Sequence, residues 1–373
     1  MRANYQINAT PQFRVLSDDQ VEEIYHAALD VLERVGTRVY GRQALDLLLD
    51  AGCLVGEETV AEGVPSALVH IPTPLTEQML GATPSRITIA GRDREKLVRL
   101  ERNKFYFGTG SDCPSLVDPY TDEIRKYTFD DVYDAARISD ALPHIDFHMS
   151  LGLTSGVVPQ TYDRPQLLAM LKGTSKPLVI TAVDRQGLAE QHEMACAVLG
   201  GAVEFARLPL FVVYIEPSSP LTNSIEAVEK LLYAAENGIP AIYTPCIMAG
   251  GTGPVTLAGT MVQALAEYLT GVVLAQLQRP GAGVIMGGVN SPMDMATSIL
   301  SYGAPELALI SAAMTDVAKA LGVPMFSTAG CSDAKTLDQQ AAIEATLSIV
   351  IAALSGANLI HDVGYLESGL LGS

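Results

Sequence analysis

VPMFSTAGCSDAK, residues 323–335, is the stretch that decides the fold. It reads as a short apolar strand that stops at Gly330 and releases Cys331, Ser332, Asp333 and Lys335 into a turn, with a helix starting near Leu337. Seven other stretches repeat that grammar of buried strand, turn of small and polar residues, then helix: the runs at 104–109, 145–151, 177–181, 208–215, 241–246, 283–287 and 358–362. Together with 324–328 they predict an α/β fold, a (β/α)8 TIM-type barrel whose chemistry collects on one rim. Gly200, Gly238, Gly322 and Gly356 fall where the intervening helices should end.

Ahead of the first unit the pattern differs. From Ser17, a good helix N-cap, the periodicity places Val21, Ile24, Ala28, Val31 and Leu32 on one face and ends at Gly36. A second helix is expected over 42–51, a short helical or irregular piece over 65–77, and a hairpin from 87–90 and 96–100 around GRDRE. Residues 1–102 therefore read as an α-rich extension with a β-hairpin, and residues 103–373 as the barrel. After the eighth strand only YLESGLLGS remains, too little for a closing helix, so the expectation is a chain truncated after strand 8.

Composition narrows the partners. With 373 residues and 48% hydrophobic content the chain can bury a large core, and a net charge of −18 repels nucleic acid and anionic membrane surfaces. The N-terminus MRANYQINATPQF lacks the apolar core of a signal peptide, and the run 342–354 is interrupted by Glu344, Thr346 and Ser348, so a cytoplasmic protein is expected. Five widely spaced cysteines without a CxxC pair read as reduced thiols.

In a barrel the informative residues are those just after each strand: Gly108, Thr109, Ser111 and Asp112; Ser150; Thr181 and Asp184; Glu216; Thr244; Asn290; Asp333 and Lys335; His361, Asp362, Tyr365 and Glu367. Glu216 ends a fully apolar strand, where an ionised carboxylate needs a partner, and is either a paired rim group or a functional one. His361 carries the same two readings, while His144 and His148 read as structural and His26, His70 and His192 as surface residues. Glu216, His361 and Asp362 could ligate a metal, but no HxH or HExxH spacing accompanies them, so no metal site is assigned. Gly250, Gly251 and Gly253 allow either a phosphate-cradling nest or an ordinary tight turn.

Four blocks, FGTGSDCPSLVDPYTDEIRKYTFDDV, IYTPCIMAGGTGPVTLAG, FSTAGCSDAKTLDQQAA and NLIHDVGYLESGLLGS, resemble the trimethylamine:corrinoid methyltransferase family, over a span from about Ser17 to the last residue. The resemblance implies a (β/α)8 barrel that moves a methyl group from a methylated amine to the Co(I) of a separate corrinoid protein. It implies that this chain binds no cofactor tightly, the cobalamin being carried by the cognate corrinoid protein, and that the chain is a homo-oligomer. Archaeal trimethylamine enzymes of the family carry pyrrolysine. This sequence has none and so resembles the non-pyrrolysine branch, with glycine betaine and related quaternary amines as donors and trimethylamine as the alternative.

A quaternary amine leaves as a neutral tertiary amine, so such a site must hold a cation, keep it dry and aim one methyl. On that reading Glu216, His361 and Asp333 are the catalytic candidates. Aromatic faces and carboxylates hold the cation, which selects Tyr106, Tyr120, Tyr243 or Tyr365 with Asp112, Glu216 or Asp333. Lys335 or His361 would meet the carboxylate of a betaine, Lys335 alternatively forming a salt bridge with Asp333 or Asp338. Two other readings stay open: a quaternary-amine-binding barrel without turnover, and a metal-assisted lyase or hydrolase using Glu216 and His361.

Overall fold

A computed structural model describes residues 12–372. The N-terminal part begins with helix α1 (Asp18–Asp30), where Ser17 and Gln20 form a capping box before a π-turn carries the chain to Gly36. Then follow β1 (Thr37–Tyr40), α2 (Arg42–Asp50), β2 (Leu54–Val55), β3 (Thr59–Ala61), β4 (Val64–His70), α3 (Thr73–Ala82) and the hairpin β5 (Ile87–Ala90) with β6 (Leu97–Leu100). The hairpin forms where the alternation placed it, with Ile87 opposite Leu100. Residues 65–77 differ from expectation: the first half is strand β4, which pairs with β1, β2 and β3. Its alternation of buried Ala67 and Val69 with exposed Leu68 is a strand's period, which Pro65 and Pro72 on either side obscure.

The remaining chain runs β7 (Tyr106–Thr109), β8 (Ser115–Val117), β9 (Ile124–Lys126), α4 (Phe129–Ala141), α5 (Asp163–Gly173), β10 (Leu178–Ile180), α6 (Arg185–Leu199), α7 (Ala202–Arg207), β11 (Phe211–Ile215), β12 (Thr222–Asn223) and α8 (Ile225–Asn237). It continues through β13 (Ala241–Tyr243), β14 (Cys246–Ala249), α9 (Leu257–Gln278), β15 (Val284–Met286), β16 (Val289–Asp294), β17 (Ile299–Leu300), α10 (Pro305–Leu321), β18 (Phe326–Thr328), α11 (Gln339–Ser355), β19 (Leu359–Val363), β20 (Tyr365–Leu366) and β21 (Leu371–Gly372). The glycines expected as helix stops, Gly200, Gly238, Gly322 and Gly356, all adopt left-handed backbone.

This is a mixed α/β fold. Four parallel strands pair in the order β10-β11-β13-β15 and three more in the order β18-β19-β7. Single parallel bridges join Met286 to Met325, Gly108 to Phe147 and His148 to Leu178. The run 145–151, expected as a strand, holds only the last two of these isolated bridges.

Parity along the strands sorts the core. Val179, Val212, Ile242, Ile285, Phe326 and Leu359 form one cluster with Phe147 and Met149, closed by Ile87, Ile89, Val98 and Leu100 of the hairpin. Their sequence neighbours Ile180, Val213, Tyr243, Met286 and Ile360 belong to the larger cluster shared with the helices. Helix α9 is buried along nearly its whole length and packs against α1, α2, α3 and α8. It is long and apolar enough to cross a membrane, and 78% of its most apolar window is covered by this molecule.

Candidate functional site

A cavity of about 270 Å³ opens beyond the carboxyl ends of β7, β11 and β19. Ser111, Asp112, Tyr214, Glu216, Tyr302, His361, Asp362, Tyr365 and Ser368 supply its polar lining, and Met149, Val289 and Leu300 its apolar wall. Strand parity explains part of that list. On β11, Val212 faces the inner cluster, so Tyr214 and Glu216, two and four residues on, point the same way. On β19 the register shifts between Ile360 and Val363, and Asp362 takes a φ of +75°. This bulge lets consecutive residues His361 and Asp362 both reach the cavity.

Each side chain is held. The Tyr214 hydroxyl donates to Glu216 Oε2 over 3.4 Å and its ring meets Phe326 edge-on. The accessible face of Glu216 opens on the cavity, while surrounding protein pushes its pKa up, burial outweighing hydrogen bonds from Cys246 and Tyr214. Asp112 is likewise raised by burial, against donation from Gln166 at 3.1 Å, Thr181 at 3.4 Å and Ser111 at 3.3 Å. His361 stacks on Phe326 with ring centroids 3.9 Å apart, and its Nε2 lies 3.1 Å from Thr328 Oγ1. Its Nδ1 is 2.7 Å from Asp362 Oδ1 but outside hydrogen-bond alignment.

Asp362 is 2% exposed and its Oδ2 has no hydrogen-bond partner within the described protein. A buried carboxylate oxygen left in that state is costly unless something else meets it. Tyr365 donates its hydroxyl to the Ser111 carbonyl and meets Tyr302 edge-on at 6.3 Å. Gly110 makes this packing possible: a Cβ there would lie 2.3 Å from the Tyr365 ring and 2.5 Å from Asp362 Oδ1.

Of the residues singled out from sequence, Ser111, Asp112, Glu216, His361, Asp362 and Tyr365 line the cavity. Asp333 lies behind it, accepting from Ser301 Oγ, the Tyr302 backbone N–H and Ser368 Oγ at 2.5, 2.8 and 2.7 Å, and so fixes two lining residues instead of facing a ligand. Tyr243 points the other way, donating to Asn223 at 2.6 Å against α9, because its neighbour Ile242 takes the inward position. Lys335 is 80% exposed and pairs with Glu367 at 3.7 Å, outside the cavity. Tyr120 is 94% exposed. His192, expected on the surface, is buried against Phe205 and Tyr233.

Tyr106 sits at the opposite end of the strands, in a space of about 320 Å³ with Lys96, Asp140, Asp146 and Lys176. The charges there are matched within the protein. Lys176 donates to the carbonyls of Ser139, Leu142 and Ile145, Lys96 pairs with Asp140 at 3.2 Å, and Asp146 accepts from the Phe107 N–H.

The glycine turn resolves as an ordinary one, since Gly250, Gly251 and Thr252 donate their N–H groups to carbonyls of the same turn. Among the described residues no group of three His, Cys, Asp or Glu has metal-holding geometry. Tyr214, Tyr302 and Ser368 were not found from sequence. Tyr214 had a signal, its spacing of two from Glu216, whereas Tyr302 and Ser368 arrive through loop packing alone.

Comparison with known proteins gives one consistent result. The family model described as Trimethylamine methyltransferase (MTTB) matches residues 1–373. The chain is 32% identical over 354 residues to trimethylamine methyltransferase MttB of Desulfitobacterium hafniense (strain DSM 10664 / DCB-2), covering 95% of this chain and 70% of that protein. It is 33% identical over 368 residues to MttB of Methanosarcina barkeri (96% and 72%), and 28% identical over 365 residues to glycine betaine methyltransferase of D. hafniense (strain Y51; 96% and 73%). The crystal structure of the M. barkeri monomethylamine methyltransferase (MtmB) superposes with a TM-score of 0.60 at 13% identity over 98% of this chain and 73% of that one, a likeness of fold.

Proposed function

The chain belongs to the trimethylamine methyltransferase family, and from that premise we propose that it transfers a methyl group from a methylated ammonium compound to the Co(I) of a separate corrinoid protein. The observation that carries this reading is the cavity itself. Three carboxylates, Asp112, Glu216 and Asp362, share one space with the rings of Tyr214, Tyr302 and Tyr365. Carboxylates and aromatic faces are what holds a methylated ammonium group. Trimethylamine and glycine betaine, named for the relatives, both carry such a group or gain it on protonation.

The finer fold reading is a (β/α)8 ring in which the three single bridges complete the circuit between the four-stranded and three-stranded sheets. Residues 12–102 form its extension, whose hairpin plugs the amino end and leaves the carboxyl end open for the acceptor.

The chemistry follows from the lining. In the transfer one C–N bond breaks, its electron pair stays on nitrogen, and the methyl carbon is taken by the electron pair of the acceptor's Co(I). With a quaternary donor the departing amine is neutral, so no acid is required at nitrogen. The protein's part is to hold the cation by Asp362 and Glu216, to turn one methyl toward the opening, and to exclude water with Met149, Val289 and Leu300. Asp333 acts as a positioning residue through Tyr302 and Ser368.

The test is methyl transfer to Co(I) on a cognate corrinoid protein, followed by the cobalt absorbance, with glycine betaine, choline, carnitine and trimethylamine as separate donors. Turnover with one donor, lost in Asp362→Asn, is the expected result. Donor binding without transfer to any corrinoid protein would replace the reading with a binding barrel.

A further inference from the structure

Resting on that reading, we propose that the donor is a quaternary ammonium cation without a carboxylate, its remaining substituent neutral and hydroxyl-bearing, as in choline. Among the described residues the cavity lining contains three carboxylates and no lysine or arginine. Lys335, the residue expected to receive a betaine carboxylate, is on the surface with Glu367. Lys230 lies near Glu216 and Asp112 but is no part of the lining, and its ammonium is tied to the Ala182 carbonyl at 2.8 Å. A zwitterion placed here would set its own carboxylate among three others, a like-charge contact that costs affinity.

Hydrogen-bond direction favours the same donor. The Tyr214 hydroxyl donates to Glu216, Ser111 to Asp112, Ser368 to Asp333 and Tyr365 to the Ser111 carbonyl. Those protons are committed, so what these groups offer a ligand is acceptor oxygen. A carboxylate brings only lone pairs, and among the lining side chains it finds the Tyr302 hydroxyl and the His361 ring as donors. A hydroxyl brings a proton and finds many acceptors. Asp362 lines the cavity, and its carboxylate, whose buried Oδ2 has no hydrogen-bond partner among the described residues, is the counter-charge for the ammonium. Size sets an upper limit that such a donor meets: about 270 Å³ has room for roughly ten non-hydrogen atoms, scaling from an apolar cavity of about 150 Å³ that holds benzene.

The experiment is calorimetric titration of the full chain, without corrinoid protein, with choline, tetramethylammonium, glycine betaine and 3,3-dimethyl-1-butanol, the uncharged shape analogue of choline. Choline should bind at least about tenfold tighter than glycine betaine, the alcohol analogue should not bind, and Asp362→Asn and Glu216→Gln should each narrow the choline preference. Two variants are used because Asp362 occupies a constrained backbone position while Glu216 faces open space. Glycine betaine binding as tightly as choline overturns the carboxylate-free assignment and leaves the methyltransferase reading standing. Absence of binding by every ammonium ion overturns that reading as well.

Discussion

Asp362 shows how much one backbone angle decides. In a regular strand it would face the helices, opposite in parity to His361, but a φ of +75° at a register shift brings it into the cavity. Aspartate tolerates that region better than most residues, and the constraint is one found at functional positions. Glu216 and Asp112, both raised by burial, hold a cation only when ionised. Donor affinity should therefore fall as pH drops through and somewhat above the ordinary carboxylate range, and Glu216→Gln should flatten that dependence in titrations at a series of pH values. Affinity unchanged between neutral and acidic pH would remove these carboxylates from the site. Ring position gives a second expectation: Tyr365→Leu weakens donor binding by about 0.5 to 2 kcal/mol if its face meets the cation. Tyr106→Leu, at the far end of the strands, should leave affinity unchanged.

Among the elements, α4 has the best-built start. Thr128 and Asp131 form its capping box, and Arg125 from β9 grips Asp131 with two bonds of 2.7 Å. Those bonds hold the Asp131 carboxyl down at about 2. The sign is that of a depressed acid: its contribution is present above the unfolded-state pKa and is lost as pH falls toward 2. Thr128→Ala should lower stability by about 1 kcal/mol in denaturant titrations, with little change in donor binding, since the cap is no part of the cavity lining. Gly110 sits between β7 and β8 with the opposite balance. Gly110→Ala would press on Tyr365 and Asp362 directly, so donor binding should suffer far more than the melting temperature. Equal losses in both would mean that Gly110 serves the fold and not the site.

For the molecule as a whole, two charge patterns act together. A net charge of −18 concentrates small cations near the surface, and the carboxylate-lined cavity continues that field inward. Acid stability is set partly by His148, fully buried, with Nδ1 near Ser139 and Thr109 and its pKa pushed down to about 3, chiefly by burial. Between that value and the ordinary 6.5 the unfolded chain binds a proton that the folded one does not, so stability should rise with pH across this window. His148→Gln should reduce that slope in urea titrations at pH 4 to 7, and an unchanged slope would assign the acid sensitivity to other groups.

The alternation of strands and helices, the glycine stops and the hairpin are legible in the sequence, because each depends on local periodicity and backbone preference. Rim residues follow from the strand ends too, and Ser111, Asp112, Glu216, His361, Asp362 and Tyr365 of that short list line the cavity. Strand parity was written there too, in the Val212, Tyr214, Glu216 spacing, but which parity faces inward is fixed only when neighbouring strands pair. Hence the sequence points to Tyr243 for the site, and pairing supplies Tyr214 instead. Asp333 was legible as a rim residue, yet its three hydrogen bonds to loops far along the chain turn it from the ligand to its own structure. The bulge at Asp362, the arrival of Tyr302 and Ser368, and a lining without lysine or arginine among the described residues come from tertiary structure, since all three depend on contacts between segments that share no local pattern.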